Sequence, residues 1–484
     1  MNRPFILALG LLAASPLPVA AQETPETYLK RIEAIDDSGA AIHAVVAVAP
    51  SESLAIKGKG PLAGRALLVK DNIETRDMPT TAGSLALKDN ATGRDAPLVA
   101  KLRKAGAVIL GKTNLSEWAN FRGEHSSSGW SAVGGQTKNP YALDRSPCGS
   151  SSGSGAAVAA GMAWAAIGTE TDGSITCPAS VMGLVGFKPT VGLVSRTYVV
   201  PISSSQDTAG PMTTSVADAA LLLNAMAGSD PADPATADAD RHKPDFTVGL
   251  GRVSLKAVRV GVLRRQAGHM SALTVLFDAA LADMKRAGAQ VVEIDFEPDE
   301  RLGEAEFTIM LHEFRLGIDA YLGDLPRPAP ARDLAGLIAF NKAHAAEELR
   351  WYGQQTFEKA LTTTDPAAYA KARADAQRLA GTEGIDALLR KYDVDVLVAP
   401  TTSPAWPIDP VLGDNFVDVG AGSLAAIAGY PHLSVPMGTV EGLPVGISFM
   451  AGKWDDAKVL RIGAGYERSR SATLTAPALR NWAQ

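Results

Sequence analysis

Two short segments rich in serine and glycine, together with one lysine, carry the residue types that could do chemistry in this sequence. The segments read RSPCGSSSGSG at residues 145–155 and GTETDGS at residues 168–174, and Lys70 follows the apolar residues 66–69. A serine hydroxyl becomes a nucleophile when a base removes its proton. A lysine at the end of a strand is usually solvated, but burial beside hydroxyls makes its neutral form accessible near neutral pH. The pattern predicts serine-based catalysis with a lysine base if Lys70 is buried.

Two other motif readings compete with this one. Residues 106–113 fit the phosphate-binding pattern G-x-x-x-x-G-K-[ST], but residues 107–110 are a contiguous apolar run that favours a buried strand over a phosphate loop. Residues 149–153 fit the G-x-S-x-G elbow with Ser151 at its centre. The elbow needs a buried strand before it, and residues 144–148 are polar and contain proline, so that reading is weak.

The serine-rich segment could also be a flexible linker. It lies directly before the apolar, alanine-rich residues 156–167, which predict a buried helix, and residues 168–174 then predict a second polar loop. A loop that leads into the interior brings its N–H groups and hydroxyls with it. Its position therefore favours a functional loop over a linker.

The elements that must position these loops alternate between strand and helix patterns. Apolar runs and helical spacing predict a strand–helix–strand unit over residues 66–110, a surface linker between lobes at 228–245, and a mainly helical stretch at 303–390. The remaining predictions are strands at 258–263, 290–296, 393–400, 433–436 and 445–450, and helices at 273–284 and 456–468.

Three strings in this chain resemble the amidase signature family: LVKDNI at residues 68–73, CGSSSGS at 148–154 and GTETDGSI at 168–175. Further matching pieces extend the resemblance from about residue 25 to the C-terminus, and the second and third strings look most like the bacterial peptide-amidase branch. The resemblance implies a single α/β/α domain with a large mixed central sheet over residues 22–484. Its catalytic core would span about residues 60–215 and a substrate-shaping helical region about 300–390.

Carried over residue by residue, the resemblance implies a catalytic triad without metal or cofactor. Ser174 would be the nucleophile, Ser150 a relay serine in a cis peptide, and Lys70 the base. The backbone N–H groups of residues 171–174 would form the oxyanion hole, that is, Thr171, Asp172, Gly173 and Ser174. Gly149 and Ser151 would support the site. Many family members have glycine at the position of Asp172, so we expect a backbone role for this residue and no side-chain role.

The resemblance to peptide amidases implies removal of ammonia from C-terminal carboxamides. Aryl amides, fatty amides, esters and carbamates remain alternatives for the same acyl-enzyme route. We expect Trp118, Phe121, Tyr198 and Trp406 to form walls of the substrate pocket. Two other readings are an amidotransferase A-type subunit, which works in the cytoplasm with partner subunits, and a non-catalytic periplasmic binding protein, which would not need Lys70, Ser150 and Ser174 together.

The sequence also predicts where the protein is located and which kinds of partner it does not bind. Residues 1–21 have the charge, apolar core and small residues of a secretory signal cut after Ala21, which predicts a periplasmic or secreted protein. The formal net charge of -6 argues against nucleic acid, and no later segment is apolar enough to span a membrane. The two cysteines, Cys148 and Cys177, cannot form a zinc site by themselves. The sequence leaves their pairing and the oligomeric state open.

Overall fold

A large mixed β-sheet forms the centre of the molecule, as described by a computed structural model over residues 23–483 except 56–57, 328 and 418. The predicted signal segment, residues 1–21, lies outside the described residues. The sheet has 11 strands in the order β1-β3-β2-β6-β8-β7-β12-β13-β11-β9-β10, and β4 and β5 form a separate pair. The strands are β1 (Val45–Val48), β2 (Ala66–Lys70), β3 (Val108–Thr113), β4 (Trp130–Ser131), β5 (Gly135–Gln136), β6 (Ala165–Glu170), β7 (Val185–Lys188), β8 (Thr208–Thr213), β9 (Arg259–Leu263), β10 (Gln290–Ile294), β11 (Val396–Pro400), β12 (His432–Val440) and β13 (Leu443–Met450).

Helices cover both faces of this sheet. Successive side chains of a strand point to opposite faces, and on β2 the side chains of Leu67 and Val69 join one core cluster while Ala66 and Leu68 join another. The predicted single α/β/α domain is confirmed. The helices are α1 (Pro25–Ile32), α2 (Pro97–Lys104), α3 (Ser152–Ala159), α4 (Thr176–Val181), α5 (Val216–Met226), α6 (Ser271–Arg286), α7 (Arg301–Gly323), α8 (Leu334–Ala343), α9 (Ala345–Glu348), α10 (Gln355–Thr362), α11 (Pro366–Ala376), α12 (Asp386–Tyr392), α13 (Gly422–Ala428) and α14 (Asp456–Ser469).

Two sequence predictions about this architecture are wrong. Residues 228–245 do not separate two lobes, because β9 and β10, which follow them, extend the same sheet as β2 and β3. The predicted helix at 156–167 is the shorter α3, and residues 165–170 form β6 instead. Gly161 has a φ of +70°, a left-handed conformation that commonly terminates a helix. An alanine-rich apolar run does not distinguish a buried helix from a buried strand.

The register of β2 and β6 determines where the two serine-containing loops meet. The two strands are parallel neighbours, and Val69 pairs with Ile167. They therefore end at the same edge of the sheet, at Lys70 and Glu170. Helix α3 packs on both strands, so the serine-rich segment before it reaches this edge. No helix among the described residues is long and apolar enough to cross a membrane.

Candidate active site

Lys70 ends β2 with its side chain fully buried. Its Nζ lies 2.8 Å from Ser150 Oγ, 2.8 Å from Thr169 Oγ1 and 3.2 Å from the Thr169 carbonyl oxygen. Asn72 Nδ2 also donates to Thr169 Oγ1, at 2.9 Å. The polar contacts of the amine are thus neutral oxygens, and the strand pairing places it under the serine-rich loop.

The electrostatic environment of Lys70 favours its neutral form. Burial lowers the pKa of Lys70 to about 7, although the negative charges of Asp207 and Glu170 oppose that effect. An amine that is partly neutral near pH 7 can accept a proton from a hydroxyl. The burial on which the predicted base depends is therefore present.

The turn before α3 holds Ser150 rigidly. The Gly149–Ser150 peptide bond is cis, and the carbonyl of Ser150 accepts from the N–H of Ser116 at 3.1 Å. A Cβ on Gly149 would lie 2.3 Å from Ser116 Oγ, which only glycine avoids. Ser150 is completely buried, so its hydroxyl has the amine of Lys70 as a partner in place of bulk water.

The second loop carries Ser174, and Glu170 fixes the backbone that follows it. One carboxylate oxygen of Glu170 accepts from the N–H groups of Ile175 at 2.8 Å and Thr176 at 2.9 Å. Gly173 has a φ of +75°, which glycine adopts without strain. The turn leaves Ser174 only 8% exposed, at the wall of a cavity.

The two loops are joined to each other. The N–H of Ser151 donates to the carbonyl of Ser174 at 3.1 Å, and a disulfide links Cys148 with Cys177, a pairing that the sequence left open. Ser151 itself points away from the cavity, because its Oγ donates to the Thr169 carbonyl at 3.0 Å. Ser151 therefore supports the junction of the loops, and its hydroxyl is not placed as an elbow nucleophile.

A cavity of about 390 Å³ opens over this junction. The predicted oxyanion turn contributes a continuous strip to its wall, residues 171–174, beside Gly149. Its apolar wall comes from distant parts of the chain, namely Phe121, Ile202, Met310, Trp406, Phe416, Val417 and Val419. A mostly apolar cavity with a few convergent polar groups is typical of a small-molecule or peptide-end site.

The four predicted wall aromatics divide into two pairs. Phe121 and Trp406 line the cavity. Trp118 is 2% exposed and packs edge-on against Phe357 in the core. Tyr198 lies under the guanidinium of Arg94, 3.9 Å from its ring centroid. Trp118 and Tyr198 therefore lie outside the cavity wall, and the pocket expectation for these two residues is corrected.

Several residues of the site were missed from the sequence. Thr169 and Glu170 lie inside the third matching string, so the sequence alone indicated that they lie close to Ser174. His432 at the start of β12 lines the cavity, and Glu306 on α7 contacts the side chain of Asp172. Nothing in the local sequence of these last two residues indicates that they approach Ser174.

The site defines a class of protein, a hydrolase with a buried lysine–serine pair beneath a cavity. The family model described as Amidase matches residues 23–460, and the chain therefore belongs to the amidase family. It is an enzyme that hydrolyses carboxamide C–N bonds. No group of three or more histidine, cysteine or acidic side chains in the described part of the chain could hold a metal ion.

Individual relatives share this fold over nearly their whole length. The crystal structure of a peptide amidase from Stenotrophomonas maltophilia is 49% identical, with 94% of each chain covered and a TM-score of 0.88. A probable amidase of Arabidopsis thaliana is 36% identical over 473 residues, covering 93% of this chain and 87% of the relative. The A-type subunit of a glutamyl-tRNA(Gln) amidotransferase from Thermus thermophilus is 35% identical over 480 residues, covering 96% of both chains.

Proposed function

We propose that this enzyme removes ammonia from the C-terminal carboxamide of peptides through an acyl-enzyme on Ser174. The observation that carries the proposal is the 2.8 Å contact between the buried Lys70 amine and Ser150 Oγ, directly beneath the cavity that Ser174 lines. The 49% identity to a peptide amidase supports a peptide substrate. The lower identity to an amidotransferase favours hydrolysis over transfer.

The first half of the reaction forms an ester. Neutral Lys70 takes the proton of Ser150, Ser150 takes the proton of Ser174, and Ser174 Oγ bonds to the amide carbon. The carbonyl oxygen becomes an oxyanion that the N–H groups of the 171–174 turn stabilise, each worth about 2.7–4 kcal/mol of barrier. The C–N bond then breaks as Ser150 gives its proton to the nitrogen, which leaves as ammonia, and the ammonium of Lys70 returns its proton to Ser150.

The second half hydrolyses the ester. Water attacks the acyl carbon while its proton passes through Ser150 to Lys70, and the C–O bond to Ser174 breaks as the proton returns to Ser174 Oγ. The products are a free carboxylic acid and the original enzyme. The same residues therefore act as base and acid in turn.

Labelling and turnover test the nucleophile together. Ser174→Ala should abolish hydrolysis of a peptide amide and labelling by a serine-directed phosphonate. Ser154→Ala is the matched control, because Ser154 is a buried serine of α3 that bonds to Thr113 Oγ1 at 2.7 Å. Turnover by Ser174→Ala above a trace, or loss of labelling in both variants, would reject the assignment. A panel of peptide amides, fatty amides, anilides, esters and carbamates tests the substrate class.

We also propose export with cleavage after Ala21. The arrangement of residues 1–21 supports it, as does the disulfide between Cys148 and Cys177, since disulfides persist in oxidising compartments. N-terminal sequencing of protein from the periplasm or medium should begin at Gln22. Full-length protein retained in the cytoplasm would contradict the proposal.

A further inference from the structure

The side chain of Asp172, two residues before Ser174, contributes to the cavity wall. Its carboxyl group interacts with Ser423 and with Glu306 of α7. Glu306 is 8% exposed and accepts from Gln206 Nε2 at 2.7 Å. Burial and the adjacent carboxyl raise the pKa of Glu306 well above its ordinary range. Burial also raises the pKa of Asp172, to about 6, so near neutral pH Asp172 is the carboxylate of the pair and Glu306 holds the proton.

His432 lies in the same wall. Its Nε2 lies 2.6 Å from Ser448 Oγ, and that hydroxyl donates to Thr401 Oγ1 at 3.0 Å. This network assigns the ring proton to Nε2. The ring is 1% exposed, and its Nδ1 has no hydrogen-bond partner among the described residues. Burial lowers the pKa of His432 to about 3, which leaves Nδ1 a neutral acceptor.

The position of the proton relay orients the substrate over this wall. In the proposed reaction the leaving nitrogen must receive its proton from Ser150, on the side of Lys70. Asp172 and His432 line the cavity, whereas its described lining includes neither Lys70 nor Ser150. The acyl half of the substrate, which remains bound to Ser174, would therefore occupy the cavity beside Asp172.

We propose that Asp172, backed by Glu306 and flanked by His432, is a subsite that accepts the N–H group on the carbon next to the scissile carbonyl. Every peptide amide carries such a nitrogen, either as a main-chain amide or as an α-ammonium, and simple carboxamides do not. The inference rests on the proposed function and gives Asp172 a side-chain role in substrate selection.

Three amides with the same side chain test the subsite. N-acetyl-phenylalaninamide has an amide N–H at this position, phenylalaninamide has an ammonium, and 3-phenylpropanamide has neither. The wild-type kcat/KM should favour the first two. Asp172→Asn and Glu306→Gln should each lower this preference about 10- to 100-fold, the usual worth of a hydrogen bond to a charged group. In both variants the kcat/KM for 3-phenylpropanamide should fall by a smaller factor than the kcat/KM for the other two amides.

A matched variant on the same helix controls for damage to α7. Glu313 is also buried, but it bonds to Ser203 Oγ at 2.6 Å and to Tyr369. Glu313→Gln should leave the substrate preference unchanged. A preference lost for only one nitrogen-bearing amide identifies which form the subsite binds.

Failure of the subsite and failure of the proposed function give different results. Equal wild-type rates on all three amides, or an equal fall on all three in Asp172→Asn, would overturn the subsite and leave peptide amide hydrolysis intact. Failure of the wild type to hydrolyse any of the three, or longer peptide amides, would overturn the proposed function itself.

Discussion

Two buried lysines at the ends of neighbouring strands show how the environment of the proposed base differs from that of a structural cation. Lys70 and Lys112 are both completely buried, and Val69 beside Lys70 pairs with Lys112 across β2 and β3. Lys112 Nζ lies 2.9 Å from Asp71 Oδ1 and 2.8 Å from Thr80 Oγ1, whereas Lys70 contacts hydroxyl and carbonyl oxygens. The difference is a carboxylate in direct contact.

The same desolvation is opposed in different ways at the two sites. Burial lowers the pKa of both amines, but at Lys112 the ion pair with Asp71 acts against that shift. An ion-paired ammonium keeps its proton more strongly than an amine that contacts neutral oxygens. Lys112 also belongs to the segment that fits the phosphate-binding pattern. In the structure it stabilises the end of the strand.

The largest effect should come from Lys70→Met, which keeps the length of the side chain and removes the amine. Loss of a general base typically costs about 10²–10⁴-fold, so kcat on a peptide amide should fall by that factor. The variant should be at least as stable as the wild type at pH 7, because it no longer buries an amine. Retention of near wild-type kcat would show that Lys70 is not the base and that the two lysines do not differ in function.

Lys112→Met should have the opposite effects on activity and on stability. It leaves the carboxylate of Asp71 buried without its cation, which should lower the free energy of unfolding by about 3–5 kcal/mol. Urea titration with intrinsic fluorescence measures this loss, and kcat of the folded fraction should remain within about threefold. The double variant Asp71→Asn, Lys112→Met should recover part of the stability. A Lys112→Met protein that is stable but inactive would contradict the comparison.

The pH dependence of the rate should follow Lys70. The neutral amine is the active form, and its pKa is about 7, so kcat/KM should fall about tenfold per pH unit below that value. It should level off above it. A stopped assay from pH 4.5 to 9 measures the profile, and a rate that is flat across this range would count against Lys70 as the base.

The smallest effect should come from Thr169→Val, which removes the hydroxyl that accepts from Lys70 at 2.8 Å. Loss of an acceptor disfavours the ammonium, so the acid limb of the pH profile should move to lower pH, by about one unit. Thr113→Val, at the end of β3, is the matched control because its hydroxyl bonds to Ser154. A shift to higher pH, or an equal shift in both variants, would contradict the expected role of this contact.

Much of the fold was predictable from local patterns. The strand–helix–strand unit over residues 66–110 and the helix over residues 273–284 appear within a few residues of their predicted bounds, because apolar spacing reports the buried side of an element. The matching strings also supplied the positions of the proposed triad, and the structure brings two of its members, Lys70 and Ser150, into contact.

The features that were not predicted depend on contacts between distant parts of the chain. The strand at residues 165–170 escaped prediction because its alanines and isoleucine suit either a buried helix or a buried strand, and only its neighbours β2 and β8 decide. The linker prediction at residues 228–245 failed because composition marks an exposed segment without showing which strands lie beyond it. Glu306 is separated from Asp172 by more than a hundred residues, and only the folded chain places them together.

The disulfide between Cys148 and Cys177 closes a covalent ring in the chain. Both proposed reacting serines, Ser150 and Ser174, belong to that ring, together with the whole of α3 and β6. A protease that cut one bond inside the ring would leave the two fragments attached to each other. A nick at this place would therefore not release either serine-containing loop from the molecule.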